Sequence, residues 1–309
     1  MGQEKIDAGG DPTAAFEESL VAYRKATTLA PKNGLFHANK GWLLWMLGRP
    51  GPAGEAYAAA CERDMKNAEW AFLGAQRFGE AQDFESSLKM IAAAIKIDGK
   101  KAAFHNYQGR ILEFGSKDLN AAAKSYRMAL GSPDLSNDLG GQIAGGLYRC
   151  RAADQNWKAL ADDMSVWTKK HPKSDLGTWW QGFAQLMAKD HKGQLKTFKR
   201  LEKMSERYRP EAHLYQGMAL IALNKPDDAL KALGLAAKYR DYAWSDDQRR
   251  PVFQMRVIMG SFFGRGNFSK AIAVGEKNIL PVAQKPLDIC RVHQDLGFFY
   301  RDFGAQLGG

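Results

Sequence analysis

The sequence predicts an all-α protein, a right-handed superhelical solenoid of antiparallel helix pairs, on three observations. A small residue recurs inside apolar stretches at intervals close to 34 residues. The apolar residues around it follow a helical period, and turn-forming residues separate the stretches. Hydrophobic residues make up 45% and charged residues 25% of the 309 residues, as is ordinary for a soluble chain. Because a solenoid grows by stacking repeats, a chain of this length can form one domain.

Small residues define the repeat interval. Gly41 lies 34 residues before Ala75, which lies 34 residues before Gly109. Later intervals run from 35 to 43 residues, apart from a looser region around Gly145. The later markers are Gly182, Gly217, Gly260 and Gly297.

A second set of residues follows each marker at fixed offsets. Offsets of 12, 16 and 19 residues after Gly41 give small, large and small side chains, and the same offsets after Gly217 repeat the pattern. A small residue lets two helices approach closely, and a large one fills the space beside them. The residues are Ala53, Tyr57 and Ala60 in one repeat, Ala229, Leu233 and Ala236 in another, and Ala122, Tyr126 and Ala129, shifted by one residue, after Gly109. We therefore expect Tyr57 and Tyr126 to be buried.

These residues resemble the tetratricopeptide repeat (TPR) family, whose unit is a helix–turn–helix with this small–aromatic–small signature. The resemblance covers residues 14–304 and implies a single TPR-like solenoid of about seven to eight repeats, with a flexible N-terminus at 1–13 and a tail at 305–309. Gly48, Gly115 and Gly266 are expected to end first helices. The segments Ala14–Leu29 and Leu287–Phe303 are predicted to be single helices that cap the array. The alternatives are that the chain is a fragment of a longer protein or that its ends pair with another subunit.

Two interior segments depart from the repeat. A degenerate repeat at 135–172 carries two pairs of adjacent glycines, which favour a bend or a close helix approach. An inserted loop at 240–251 holds Trp244 among charged residues. It could contribute to a binding face, or it could be a solvated connector with Trp244 packed against the array.

No motif in the sequence points to catalysis. Phosphate-binding, nucleophile-elbow and zinc-protease patterns are absent, and the three cysteines lie far apart. Four histidines stand four residues before a marker position, where helix packing separates them too widely to share a metal ion. These are His37, His105, His213 and His293. We predict a protein that is not an enzyme and binds no cofactor and no metal.

The family resemblance implies that the first helices line a concave groove. At the groove-facing offsets the sequence places aromatic and apolar residues towards both ends and polar residues in the centre. We expect the partner-binding groove to include Trp42, Trp45, Asn106, Arg110, Trp179, Phe183 and Met218. A tight superhelix could instead bury some of these residues against its own terminal helix.

A basic stripe is predicted on the second helix of the sixth repeat. Lys192, Lys196, Lys199, Lys203 and Arg207 follow a spacing that puts them on one helical face. This face could dock an acidic surface, or it could simply be solvated.

The function predicted from these patterns is a protein–protein interaction scaffold or adaptor that binds an apolar or amphipathic segment or helix in the groove. The alternative is an RNA-binding helical-repeat protein, which the net charge of +10 permits. Tryptophan, phenylalanine and methionine at the groove positions disfavour nucleic acid, because helical RNA readers use polar side chains there. Without an apolar N-terminal segment the cytoplasm is the expected compartment, although an exported mature protein would have the same pattern.

Overall fold

The fold was analysed in a computed structural model that describes residues 12–239, 242, 244 and 250–307, with residues 303–307 described by their backbone alone. Those residues form 16 α-helices, and none of them lies in a β-strand. The prediction of an all-α repeat protein of about 16 helices is confirmed.

The chain divides into two compact units, Met1–Asn156 and Trp157–Gly309. The prediction of one continuous solenoid over residues 14–304 remains a prediction. The helices of the first unit are α1 (Thr13–Leu29), α2 (Gly34–Met46), α3 (Pro50–Arg63), α4 (Ala68–Glu80), α5 (Phe84–Ile97), α6 (Ala102–Arg110), α7 (Leu119–Leu130) and α8 (Asn137–Ala152). Helix α6 continues into a π-helical turn at Ile111–Gly115.

The second unit repeats the same architecture. Its helices are α9 (Trp157–Lys170), α10 (Asp175–Met187), α11 (His191–Met204), α12 (Arg209–Ala222), α13 (Pro226–Ala237), α14 (Pro251–Gly264), α15 (Phe268–Val274) and α16 (Pro286–Leu307). A π-helical turn at Gly275–Ile279 extends α15. Within each unit every helix packs against the next one along the chain. The even-numbered helices are the first helices of the pairs, and the odd-numbered ones are the second helices.

Short polar side chains begin many of these helices. Asn67 accepts a hydrogen bond from the backbone N–H of Trp70, and Asp118 accepts one from Ala121. Such caps satisfy donors that the first turn leaves unpaired. As predicted, Gly48 ends a first helix in the left-handed region, with φ +71°, and Gly266 does so with φ +72°.

The third predicted helix end is wrong. Gly115 lies in the π-helical turn, and the left-handed residue is Lys117, with φ 58°. Gly115 is small for a different reason, because a Cβ atom there would lie 2.7 Å from the ring of Phe84. Gly115 is therefore explained by its close contact with Phe84, and Lys117 is the residue that takes the left-handed conformation after the helix.

Small residues on first helices pack against large residues on second helices, as the offsets predict. A Cβ atom at Gly41 would come within 3.0 Å of the ring of Tyr57, and one at Gly182 within 2.6 Å of the ring of Phe198. Tyr57 is 5% exposed and Tyr126 is 1% exposed, which confirms their predicted burial.

Tyr126 is held between two glycines. A Cβ atom at Gly109 or at Gly146 would lie 2.7 Å from its ring. The close approach predicted for the degenerate repeat therefore occurs at Gly146, whereas Gly145 has only the far end of the Arg149 side chain within 4 Å of a Cβ. Glycine is required at a position whose neighbour is a fully buried ring.

The marker positions of the last repeats are shifted by one residue from the prediction. Gly260 and Gly297 are exposed, and nothing would lie within 4 Å of a Cβ atom at either. The buried residues are the preceding ones, Met259 and Leu296, and both would contact a Cβ atom at Gly275. In these repeats the large side chains, Met259 and Leu296, lie on first helices, and the small residue that they contact, Gly275, follows α15. A search for a glycine on the first helix therefore selects the wrong residue.

Candidate functional site

The predicted groove residues lie on first helices of both units. Trp42 and Trp45 are on α2, and Asn106 and Arg110 are on α6. Trp179 and Phe183 are on α10 and Met218 is on α12, in the second unit. The site therefore consists of two surfaces, one on each unit.

The first surface begins with two exposed tryptophans on successive turns of α2. Trp42 is 44% exposed and Trp45 is 40% exposed. The ring of Trp42 meets that of Phe16 edge-on, with their centroids 5.8 Å apart. The guanidinium carbon of Arg77 lies 4.1 Å from the centre of the Trp45 ring. Each indole is thus held by one neighbour and keeps a large apolar area in water.

Arg77 is itself fixed by an ion pair. Its Nη1 atom donates to both carboxylate oxygens of Glu80 at 2.9 Å, and the residue is only 7% exposed. A cleft of about 370 Å³ opens beside this pair, between α4 and α6, where Gln76, Arg110 and Phe114 form part of its wall. Arg110 is exposed in this cleft. The cleft therefore adds a polar, positively charged pocket to the aromatic surface.

An ionic network around a buried carboxylate links the last three helices of the first unit. Glu113 is 7% exposed and accepts a 2.7 Å hydrogen bond from the Tyr126 hydroxyl. Arg149 donates to the same carboxylate from Nε at 2.6 Å and from Nη2 at 3.0 Å. Burial and the bond to Glu113 raise the pKa of Tyr126, and the same carboxylate raises the pKa of Arg149. The network connects α6, α7 and α8 and keeps its charges paired.

Two residues of the α6 surface differ from expectation. Asn106 is 8% exposed and presents little area to a partner. Phe114 is 61% exposed, with the Arg149 guanidinium 5.4 Å from its ring, and the sequence analysis did not select it. Phe114 lies five residues after Gly109, outside the groove-facing offsets, because the π-helical turn adds a residue to α6.

The second surface is more tightly packed. Trp179 and Phe183 are half-buried and stacked, with ring centroids 5.4 Å apart. The indole N–H of Trp179 donates to Glu211, which also accepts a 2.6 Å hydrogen bond from Tyr242. Met218 is half-buried beside this cluster. These aromatic residues contribute to the packing of the unit more than the tryptophans of α2 do.

The inserted loop is described at few positions. Residues 240, 241, 243 and 245–249 lie outside the described part of the chain. Trp244 is half-buried against the apolar core of the second unit, and the ring of Tyr242 packs beside it, tilted by 57°, with a centroid distance of 4.7 Å. This position agrees with the alternative in which Trp244 packs against the array.

The basic stripe is present on α11, but it is one residue shorter than predicted. Lys192, Lys196, Lys199 and Lys203 are all exposed. Arg207 is not on this helix, because α11 ends at Met204. Arg207 lies in the following turn, with its guanidinium 5.4 Å from the ring of Tyr208.

Of the four histidines predicted to share a packing position, His105 and His213 are buried, His37 is half-buried and His293 is exposed. A ring nitrogen of His37 lies 3.3 Å from the carbonyl oxygen of Pro31, and one of His105 lies 3.0 Å from that of Gly99. In both repeats the acceptor is six residues earlier. Burial lowers the pKa of His213, which favours its neutral form. Across the described residues no three potential ligands group to hold a metal ion.

Two of the three cysteines have thiols with a raised pKa. Burial raises the pKa of the Cys61 and Cys150 thiols to about 11, so both are protonated at neutral pH. Of the helices described, none combines the length and the hydropathy that a membrane span requires.

The helix pairs, and the small residues that face large ones across them, define a TPR-like helical-repeat protein. No protein-family model and no curated protein matches the sequence. Solved structures do resemble it. A chain in the structure of Naa15/Naa10 bound to HypK-THB is 13% identical with a TM-score of 0.52, and the match covers 78% of this protein but only 36% of that chain.

Two other similar structures are named as repeat proteins. YrrB, described as a TPR protein with an unusual peptide-binding site, is 15% identical over 60% of this chain and 93% of its own, with a TM-score of 0.41. The C-terminal part of a TPR repeat-containing protein from Cytophaga hutchinsonii is 18% identical over 81% and 97%, with a TM-score of 0.46. At these identities the likeness concerns the fold alone.

Proposed function

We propose that this protein is a non-catalytic scaffold or adaptor that binds an apolar or amphipathic segment of a partner protein on the first-helix surface of its first unit. The observation that carries the proposal is the pair of exposed indoles of Trp42 and Trp45. Burying a large apolar side chain contributes roughly 1.5–3 kcal/mol, and tryptophan is enriched among residues that dominate binding energy. Two of them on successive turns of one helix suit an apolar ridge of a partner.

The neighbouring charges favour an amphipathic segment. The cleft beside Arg110 can accept a polar side chain, while the partner's apolar side chains cover the tryptophans. Because Arg77 lies over Trp45 and is paired with Glu80, the indole is already oriented and loses little freedom on binding.

The same ion pairs disfavour the RNA alternative. Two arginines on this surface already pair with carboxylates, Arg77 with Glu80 and Arg149 with Glu113, whereas Arg110 is exposed. A phosphate backbone is bound mainly through cations that are free to replace counterions. A protein segment is therefore the better ligand for this surface.

A peptide selection tests the proposal. Amphipathic helical peptides are selected from a displayed library against the full chain, and their dissociation constants are measured by fluorescence anisotropy. Replacing Trp42 and Trp45 together by alanine is expected to weaken binding at least about tenfold, as the loss of hot-spot residues does. Circular dichroism should stay unchanged, because both side chains are substantially exposed.

The matched control is the double variant Met65→Ala/Met128→Ala, which removes two exposed apolar side chains away from the first-helix surface. It is expected to bind the selected peptides like the unmodified protein. Equal affinity of both double variants would overturn the proposal, and so would a selection that yields no peptide sensitive to the tryptophans.

A further inference from the structure

The four lysines of α11 are presented on a rigid helix. Asp190 caps the helix by accepting from the N–H of Gly193 at 2.9 Å, and Gln194 donates to the carbonyl of Tyr215 at 2.9 Å. Phe198 and Leu201 are fully buried on the opposite face. The exposed ammonium groups of Lys192, Lys196, Lys199 and Lys203 therefore follow one line along the helix surface.

This charge is not neutralised within the described part of the protein. On the second helix α5, Lys89 pairs with Glu85 at 2.7 Å, and on α13 Lys231 pairs with Asp228 at 3.7 Å. None of the four α11 lysines has such a partner among the described residues.

The single acidic residue of α11, Glu202, lines the same cleft as Lys199 but forms its contacts with α12. Glu202 accepts a 2.7 Å hydrogen bond from Gln216 and lies 3.9 Å from a ring nitrogen of His213, both on α12. Arg200 also lacks a carboxylate partner, since it donates to the carbonyl oxygen of Pro172, next to the exposed Lys173. The basic surface therefore continues from α11 to the turn before α10.

The position and the spacing of the α11 lysines are both electrostatically unfavourable. Lys192 lies in the first turn, where the positive end of the helix dipole disfavours a cation. Lysines at i and i+4 repel each other as well. An anionic ligand along this face would relieve both effects at once.

The surroundings of the stripe favour an acidic protein over other polyanions. Among the described residues of α11 no large apolar or aromatic side chain is exposed. Single-stranded nucleic acid is held by aromatic stacking, and membrane surfaces by inserted apolar groups. Carboxylates at positions i, i+4, i+7 and i+11 of a partner helix repeat the spacing of the lysines, so each could face one ammonium group.

We propose that the outer face of α11 is a second binding surface, which docks an acidic helical segment of a partner protein through Lys192, Lys196, Lys199 and Lys203. This surface lies on a second helix of the second unit, whereas the tryptophan surface lies on a first helix of the first unit.

The probe is a synthetic helical peptide of about four turns with glutamate at those four positions. Its counterpart carries glutamine at the same positions. Binding to the full chain is measured by fluorescence anisotropy at low salt and at near-physiological salt. We expect the glutamate peptide to bind at least about tenfold tighter than the glutamine peptide, with a difference that shrinks as salt rises.

Two triple variants with equal net charge separate a specific surface from general attraction. Lys196→Gln/Lys199→Gln/Lys203→Gln is expected to lose most of the affinity for the glutamate peptide. Lys89→Gln/Lys96→Gln/Lys124→Gln, which changes exposed lysines on second helices of the first unit, is expected to keep it. Trp42→Ala/Trp45→Ala should also keep it, so failure of the tryptophan surface and failure of this one give different results.

Equal losses in the two lysine variants would overturn the proposal, because the effect would then reflect net charge alone. It would also be overturned if duplex DNA, single-stranded RNA or phosphatidylserine vesicles bound more tightly than the peptide and lost that binding in the α11 variant.

Discussion

The hydroxyl of Tyr126 donates a 2.7 Å hydrogen bond to the carboxylate of Glu113. Tyr126 is the large residue that fills the space between helices in its repeat, and its polar tip also satisfies a buried charge on the preceding helix. Arg149 completes the network from α8. One side chain thus contributes both packing and polarity, which leads to two measurable consequences.

The first is a cost of removing the hydroxyl alone. Tyr126→Phe keeps the ring between the two glycines but leaves Glu113 with one donor fewer in a buried position. We expect the free energy of unfolding to fall by about 1–3 kcal/mol, as for a hydrogen bond to a buried charged group. Urea unfolding followed by circular dichroism measures it.

The control is Tyr57→Phe, at the equivalent position of another repeat. No hydrogen bond of the Tyr57 hydroxyl is found among the described residues, so its removal should cost less than about 0.5 kcal/mol. A loss at Tyr57 as large as that at Tyr126 would show that the Glu113 bond adds nothing.

The second consequence concerns alkaline pH. Burial, followed by the bond to Glu113, raises the pKa of Tyr126 above its ordinary value of 10.0. Above about pH 10 the unfolded tyrosine ionises while the folded one keeps its proton, so the unfolding free energy should fall as pH rises. The stabilisation is fully present below that pH. In Tyr126→Phe the slope between about pH 9 and pH 11 should be shallower. An unchanged slope in urea unfolding over this range would contradict the prediction.

The glycines predict opposite effects of the same substitution. In Gly109→Ala the new methyl group would meet the buried ring of Tyr126 at 2.7 Å, and overpacking of this kind costs roughly 1–3 kcal/mol. In Gly260→Ala the methyl group meets nothing within 4 Å on an exposed helical face, so the change should stabilise by up to about 1 kcal/mol. Thermal and urea unfolding of both variants decide this. Destabilisation by Gly260→Ala would instead support the sequence prediction, in which Gly260 is the close-packed position.

Much of the fold could be predicted because it depends on local patterns. The spacing of Gly41, Tyr57 and Ala60 encodes one helix pair, and the same offsets recur elsewhere. The predicted marker positions were wrong in the last repeats, because a large residue on the first helix against a small one on the second fills the same space as the reverse arrangement. Met259 against Gly275 fills its space as well as Gly41 beneath Tyr57 does, and only the assembled helices show which residue is large.

The candidate site was less predictable, because exposure depends on neighbours that are distant in sequence. Trp42 and Trp179 are both predicted groove residues on first helices. Trp42 is nevertheless exposed, whereas Trp179 stacks on Phe183 and donates a hydrogen bond to Glu211. Phe114 reaches the surface through a π-helical turn that the spacing of apolar residues does not reveal.

The sequence alone therefore determined the helical-repeat class, the number of helices and the burial of Tyr57 and Tyr126. These properties follow from the period of apolar residues and from the volume of side chains a fixed distance apart. The tertiary structure decided which tryptophans remain in water, which carboxylate neutralises each arginine and where α11 ends before Arg207. Each of these depends on contacts between helices, and such contacts exist only once the helices have packed.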